Sequence, residues 1–105
     1  MALSALWALP SCDHSQKVNK PEVLLTEEQM IDVLFDAYLI EAELNQKRTL
    51  GENVTPLQQV YYDQLFEHYG ITDTLFQQNL LYYTYQLQTL ERIMDSVTNR
   101  FVKAQ

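Results

Sequence analysis

The sequence predicts an all-α fold: a bundle of three helices with a long third helix, preceded by the remnant of a lipoprotein signal and a short tether. Three observations predict it. Glycine and proline are scarce, 2 and 3 in 105 residues, which favours long uninterrupted helices. Threonines suited to cap helix starts recur at Thr26, Thr55 and Thr72. From Phe76 the residues Leu80, Tyr83, Leu87, Leu90, Met94, Val97 and Phe101 continue an alternating spacing of four and three, an apolar seam of four heptads.

The first helix is expected over about 27–46. Thr26 and Gln29 form a capping box, with Leu25 and Met30 at the two staple positions around it. Lys47 and Arg48 suit the negative end of that helix. It is apolar around most of its circumference; Glu28, Asp32, Asp36, Glu43 and Lys47 make its polar arc. A loop containing Gly51 follows. Thr55 as cap, Pro56 at the first helical position and Gln58 at the box position predict a second helix over about 56–69. Gly70 is placed as its left-handed stop. Thr72, with Asp73 in the first turn and an Ile71–Phe76 staple, opens the third helix, expected over 73–103. At about 45 Å that helix outreaches the first two, at about 30 and 20 Å. It must pack along both, or project its C-terminal turns beyond them; a projecting end with Met94, Val97 and Phe101 would be a site for self-association or for another subunit.

The N-terminus predicts an address. The apolar run Ala2–Leu9 leads through Pro10 and Ser11 to Cys12, the only cysteine, which has the form of a lipoprotein signal ending at a lipidated Cys12. Residues 1–11 carry no charge, so Met1 is expected to be internal to a longer leader. The run is too short to span a bilayer, which needs about 20 apolar residues. Residues 12–25 are expected to be the lipidated cysteine and a tether, and 26–105 a single helical domain. With Cys12 taken by lipid, no thiol remains for a disulfide or for catalysis.

The formal net charge is −7, and seven acids with no Lys or Arg fall between Pro21 and Gln46. A basic face for phosphates is missing, which argues against nucleic-acid binding. Nor does the sequence hold a nucleophile with a base, a glycine-rich phosphate loop or a metal motif; no cofactor and no enzyme activity are expected. Glu28, Asp32 and Asp36 lie one turn apart on a polar face, but Ca²⁺ wants six or more oxygens from a loop, so a solvated acidic face is the simpler reading. His14 and His68 share no metal-ligand spacing.

Two misfits stand out. Glu41 falls on the apolar face of the first helix and His68 among Leu57, Tyr61 and Leu65 of the second. The sharp expectation is a buried Glu41–His68 pair, catalytic or pH-sensing; the plain one is a structural hydrogen bond, for instance to a tyrosine hydroxyl, or Glu41 exposed at the helix end. Among seven tyrosines, Tyr62, Tyr82 and Tyr85 do not fit core spacing and are candidates for a contact surface.

The chain resembles a known family. The residues that carry the likeness are Met30, Val33, Leu34, Asp36, Leu39, Glu41 and Ala42, then Tyr61-Tyr62, Tyr69-Gly70-Ile71-Thr72 with Phe76, Leu81-Tyr82-Tyr83, and Val97 with Arg100-Phe101. They resemble the small lipoproteins of Bacteroidota classed as domain of unknown function 4296, over about residues 26–101. The Tyr-Gly-Ile-Thr junction is the most specific part. A Pro-containing break often follows the paired tyrosines in that family; Thr84-Tyr85-Gln86 keeps the helical pattern, which leaves a kink there open. The resemblance implies an envelope lipoprotein and supplies no activity, cofactor or catalytic residue.

The expected function is therefore that of a non-catalytic accessory or adaptor subunit of a cell-envelope complex. The protein would be lipid-anchored at Cys12 on the periplasmic side of the outer membrane. Docking would use the Tyr62/Tyr82/Tyr85 surface, the acidic face of the first helix, or the end of the third. The alternative is a small glycan- or lipid-binding module with a pocket between helices.

Overall fold

The computed structural model describes residues 20–104. The signal, Cys12 and His14 lie outside the described residues, as does most of the tether. Four helices follow one another: α1 (Glu27–Thr49), α2 (Thr55–Tyr69), α3 (Asp73–Thr84) and α4 (Leu87–Ala104). The fold is all-helical, but the single long third helix is corrected to two.

The reason for the break is local. In an unbroken helix the N–H of Tyr85 would bond the carbonyl of Leu81, four residues back. The Thr84 hydroxyl takes that carbonyl instead, at 2.6 Å. The Tyr85 N–H closes on Tyr82 at 3.2 Å and the Gln86 N–H on Tyr83 at 2.9 Å, tight three-residue turns that end the helix. Tyr82-Tyr83-Thr84-Tyr85 is also a run of mediocre helix formers. A new helix then starts as the Leu90 N–H bonds the Gln86 carbonyl at 2.8 Å. The break takes Leu87 out of the seam, 72% exposed, while Val97 stays buried and Leu90, Met94 and Phe101 still pack on the core; Ile93, off the seam, is fully buried beside them.

The expected start of α1 is observed, with a complete Thr26–Gln29 capping box. Thr72 caps α3 by accepting the Leu75 N–H. At α2 the expected Thr55 cap is corrected. Asn53 Oδ1 accepts the Thr55 N–H at 3.2 Å, so the helix starts one residue earlier and Val54 holds the cap position without a side-chain bond. Both glycines end helices in the same way. The N–H of Glu52 bonds the Lys47 carbonyl past Gly51 (φ +82), and the N–H of Ile71 bonds the Phe66 carbonyl past Gly70 (φ +64).

Helix directions follow from the contacts. Glu27 pairs with Arg92 (2.8 Å) and Asp32 with Arg100 (2.6 Å), while the rings of Phe35 and Tyr38 lie 4.9 and 6.0 Å from that of Phe101. Ascending numbers match ascending numbers, so α4 runs parallel to α1. Between α1 and α2 the order reverses, with Tyr61 on Glu43, Tyr62 on Glu41 and Tyr69 on Asp36. The core is shared by all four helices. Met30, Val33 and Leu34 meet Leu65 and Phe66 from α2, Phe76 and Tyr83 from α3, and Ile93 and Val97 from α4, with Leu25 joining from the preceding segment.

Candidate functional site

The structure offers four features in which side-chain chemistry is concentrated. The first is the α1–α2 seam, where three tyrosine hydroxyls from α2 donate to three carboxylates of α1. Tyr61 reaches Glu43 at 3.0 Å, Tyr62 reaches Glu41 at 2.5 Å, and Tyr69 reaches Asp36 and also the Asp32 carbonyl, the latter at 3.3 Å. Burial, then the bond to Glu41, pushes the Tyr62 hydroxyl up to about 12, with Arg48 opposing. Burial and the Asp36 contact raise Tyr69 further. Tyr61 is raised chiefly by its bond to Glu43. The neutral phenol is the donor in every pair, so the arrangement is a structural zipper.

The expected Glu41–His68 pair is not formed. Glu41 is half-buried and taken by Tyr62, the tyrosine bond foreseen as the plain alternative. His68 is exposed, its ring edge-on to that of Tyr69 at 4.9 Å. It sits at the margin of a shallow, open hollow of about 320 Å³ with Asp36, Glu43 and Tyr61. The acidic arc of α1 is partly spoken for as well. Asp32 binds Arg100, whose guanidinium also lies 5.9 Å over the Phe35 ring, and Asp36 accepts from Tyr69. Among the described residues no group of three or more His, Cys, Asp or Glu could hold a metal ion.

The second feature is an open groove of about 480 Å³ between α2 and α3. Tyr62, Phe66 and Phe76 contribute aromatic rings, 6.0 and 5.6 Å apart in sequence. Its rim is polar: Gln59 donates to Asp63 at 2.9 Å and Gln77 to Asp73 at 2.8 Å. Tyr62 thus serves the α1–α2 seam and this groove. Tyr82 and Tyr85 lie elsewhere, at the α3–α4 corner: Tyr82 is half-buried with its ring edge-on to Tyr83 at 5.4 Å, and Tyr85 is 52% exposed. The three candidate contact tyrosines therefore belong to two separate places.

The third feature escaped sequence reasoning. Asn79 is fully buried on α3 and clasps the chain leading into α1. Its Oδ1 accepts the Leu25 N–H at 2.8 Å, and its Nδ2 donates to the carbonyls of Val23 and Leu75, both at 2.9 Å. Tyr83 adds a hydroxyl bond to the Leu25 carbonyl. The segment expected to be free tether up to Leu25 is thus fastened to α3 from Val23 onward. A signal was present: Asn79 stands three residues after Phe76 and four before Tyr83, a polar residue at core spacing.

The fourth feature lies where the C-terminal end of α4 meets the middle of α1. Tyr38, Leu39 and Val102 are exposed there, around the Phe35–Phe101 ring contact. No described helix is long and apolar enough to cross a membrane.

No curated protein and no solved structure matches the chain. A family model does match, over residues 21–105, which takes in every described helix and the Asn79-clasped segment. The chain belongs to the family described as Domain of unknown function (DUF4296).

Proposed function

We propose that this protein is a non-catalytic accessory or adaptor subunit of a cell-envelope complex, a lipoprotein of the Bacteroidota kind anchored through Cys12 on the periplasmic side of the outer membrane. The observation that carries the reading is the apolar group where the C-terminal end of α4 lies against the middle of α1. Tyr38, Leu39 and Val102 expose 43%, 47% and 67% of their surface beside the Phe35–Phe101 contact. Exposed aromatic and aliphatic side chains grouped on a rigid helix pair suit a protein partner. Glu41 and His68, the residues with the best prospect of chemistry, stand apart and are engaged with tyrosines, which also favours a binding role.

The test is purification of the lipoprotein, tagged after Gln105, from its own membranes in mild detergent, with mass spectrometry of what accompanies it. A stoichiometric envelope protein that is lost on Leu39→Asp with Val102→Asp, while the helical signal is kept, supports the adaptor. Companion proteins that ignore the substitution, or none, overturn it. A second reading, a small glycan-binding module, is favoured by the α2–α3 groove alone. Its aromatic rings with amide and carboxylate groups on the rim suit a neutral polyhydroxylated ligand. Sugar released from the purified protein on denaturation would favour that module.

A further inference from the structure

We propose that the α3–α4 corner is a membrane-contact surface, the face that this protein lays on the lipid bilayer. The inference rests on the reading of Cys12 as a lipid anchor. Its own grounds are three.

The first is charge. The chain carries fourteen acids against seven Lys and Arg, yet no charged residue occurs in the seventeen positions from Thr74 to Leu90. The tip of that stretch is exposed throughout Thr84–Gln88, and Leu81 is exposed one turn before it. In an acidic protein approaching an anionic bilayer, this stretch itself adds no repulsion.

The second is what the corner exposes. Leu81, Tyr85 and Leu87 show 55%, 52% and 72% of their surface. Leucine favours the acyl boundary, and tyrosine is favoured at the headgroup level, where one side of the ring is apolar and the other wet. Three such side chains make a small contact. They suffice for a surface contact whose ends are already held together by a tether, because the anchor supplies the local concentration.

The third is where the chain leaves the domain. Asn79 fastens Val23 and Leu25 to α3, and Tyr83 adds its bond to Leu25. Asn79 precedes Tyr85 by only about 9 Å along the helix. From Val23 back to Cys12 the chain spans at most about 40 Å when extended. The chain therefore enters the domain, at Val23 to Leu25, at the level of the neutral corner, and its tether is long enough for that corner to rest on the bilayer. The apolar group at Tyr38, Leu39 and Val102 lies at the other end of α4, about 22 Å from Leu87, where a partner would meet it clear of the lipid.

The experiment uses tryptophan quenching by brominated lipid. The full chain, with Trp7→Phe to remove its one tryptophan, receives either Leu87→Trp at the corner or Val60→Trp on exposed α2. Each is coupled at Cys12 to a maleimide lipid and inserted in vesicles of phosphatidylethanolamine, phosphatidylglycerol and brominated phosphatidylcholine. Quenching with a blue shift at position 87, and neither at position 60, is the expected result. Quenching at neither position, or equally at both, would overturn the proposal; the first would leave the corner to a protein partner. Adding Leu81→Gln and Tyr85→Gln to the Leu87→Trp chain should abolish the quenching. Its persistence would show that the introduced tryptophan inserts by itself, and would also overturn the proposal. The coupled lipid makes this readout independent of whether Cys12 is lipidated in the cell. Mass spectrometry of the Cys12 peptide from the native membrane decides that separately.

Discussion

Removing the Asn79 side chain is expected to cost far more than an exposed polar substitution. Asn79→Ala deletes the acceptor of the Leu25 N–H, and Leu25 is only 4% exposed, so that donor is left without water. An orphaned buried group costs about 1–3 kcal/mol. Val23 is 53% exposed, so its carbonyl finds water and loses only the net value of one hydrogen bond, about 0.5–1.5 kcal/mol. The Leu75 carbonyl keeps its place in the helix and adds little. The sum is about 2–4 kcal/mol, against about 4–13 kcal/mol for a domain of this size. Asn79→Leu separates the clasp from simple packing. Leucine fills the space that alanine leaves empty, but it cannot accept from Leu25. Urea unfolding followed by circular dichroism, with hydrogen exchange at the Leu25 amide, gives the readout. Both variants should lose stability, and both should expose that amide to exchange. A leucine variant within about 0.5 kcal/mol of the parent, with the Leu25 amide still protected, would refute the clasp and reduce the alanine effect to a cavity.

Three further outcomes follow from the same geometry. Gly70→Ala should destabilise by about 1 kcal/mol, because a Cβ there meets no atom within 4 Å and the whole cost is the left-handed φ of +64; denaturant midpoints measure it. Alkali should loosen the α1–α2 seam. Tyr62 titrates at about 12 in the folded protein and near 10 when unfolded, so its contribution is complete below about pH 10 and is lost as pH rises toward 12. Midpoints taken across that range should fall less steeply in Tyr62→Phe, and equal slopes would count against the bond to Glu41. By contrast, Arg92→Met should leave the denaturant midpoint nearly unchanged, since its pair with Glu27 is exposed on both sides.

Most of the local structure was legible because it is encoded locally. Thr26 with Gln29, Thr72, and Gly70 each act through backbone groups within a few residues, and each does in the fold what its type foretells. The failures have the same origin as one another: a side chain took a backbone group that the helix pattern assigns elsewhere. Asn53 reached the Thr55 N–H and moved the start of α2 by one residue. Thr84 reached the Leu81 carbonyl and broke the helix, although the heptad spacing runs through that point undisturbed. Spacing reports which residues want burial; it does not report which carbonyl a threonine will take. Tertiary polar pairs were harder still. Glu41 was identified as a misfit, yet its neighbour could be known only once α2 was seen to run antiparallel with Tyr62 opposite it.

The break also explains why the molecule has two unlike ends. Had the third helix continued, its seam would have run out straight beyond α1, with the neutral stretch Thr74–Leu90 as the middle of a rod. Turning at Tyr85–Gln86 brings α4 alongside α1 in parallel and makes the middle of that stretch into a tip. Asn79 and Tyr83 then fasten the incoming chain to the same tip from inside, leaving Leu81 and Leu87 to solvent. Glu27 stays near the tip, paired with Arg92, while Asp32, Asp36 and the Phe35–Phe101 contact are carried away from it along the helix pair. The turn at Tyr85–Gln86 thus separates the corner where the chain enters the domain from the C-terminal end of α4 and the exposed aromatic group beside it. That separation is the physical basis for assigning one end to the bilayer and the other to a partner.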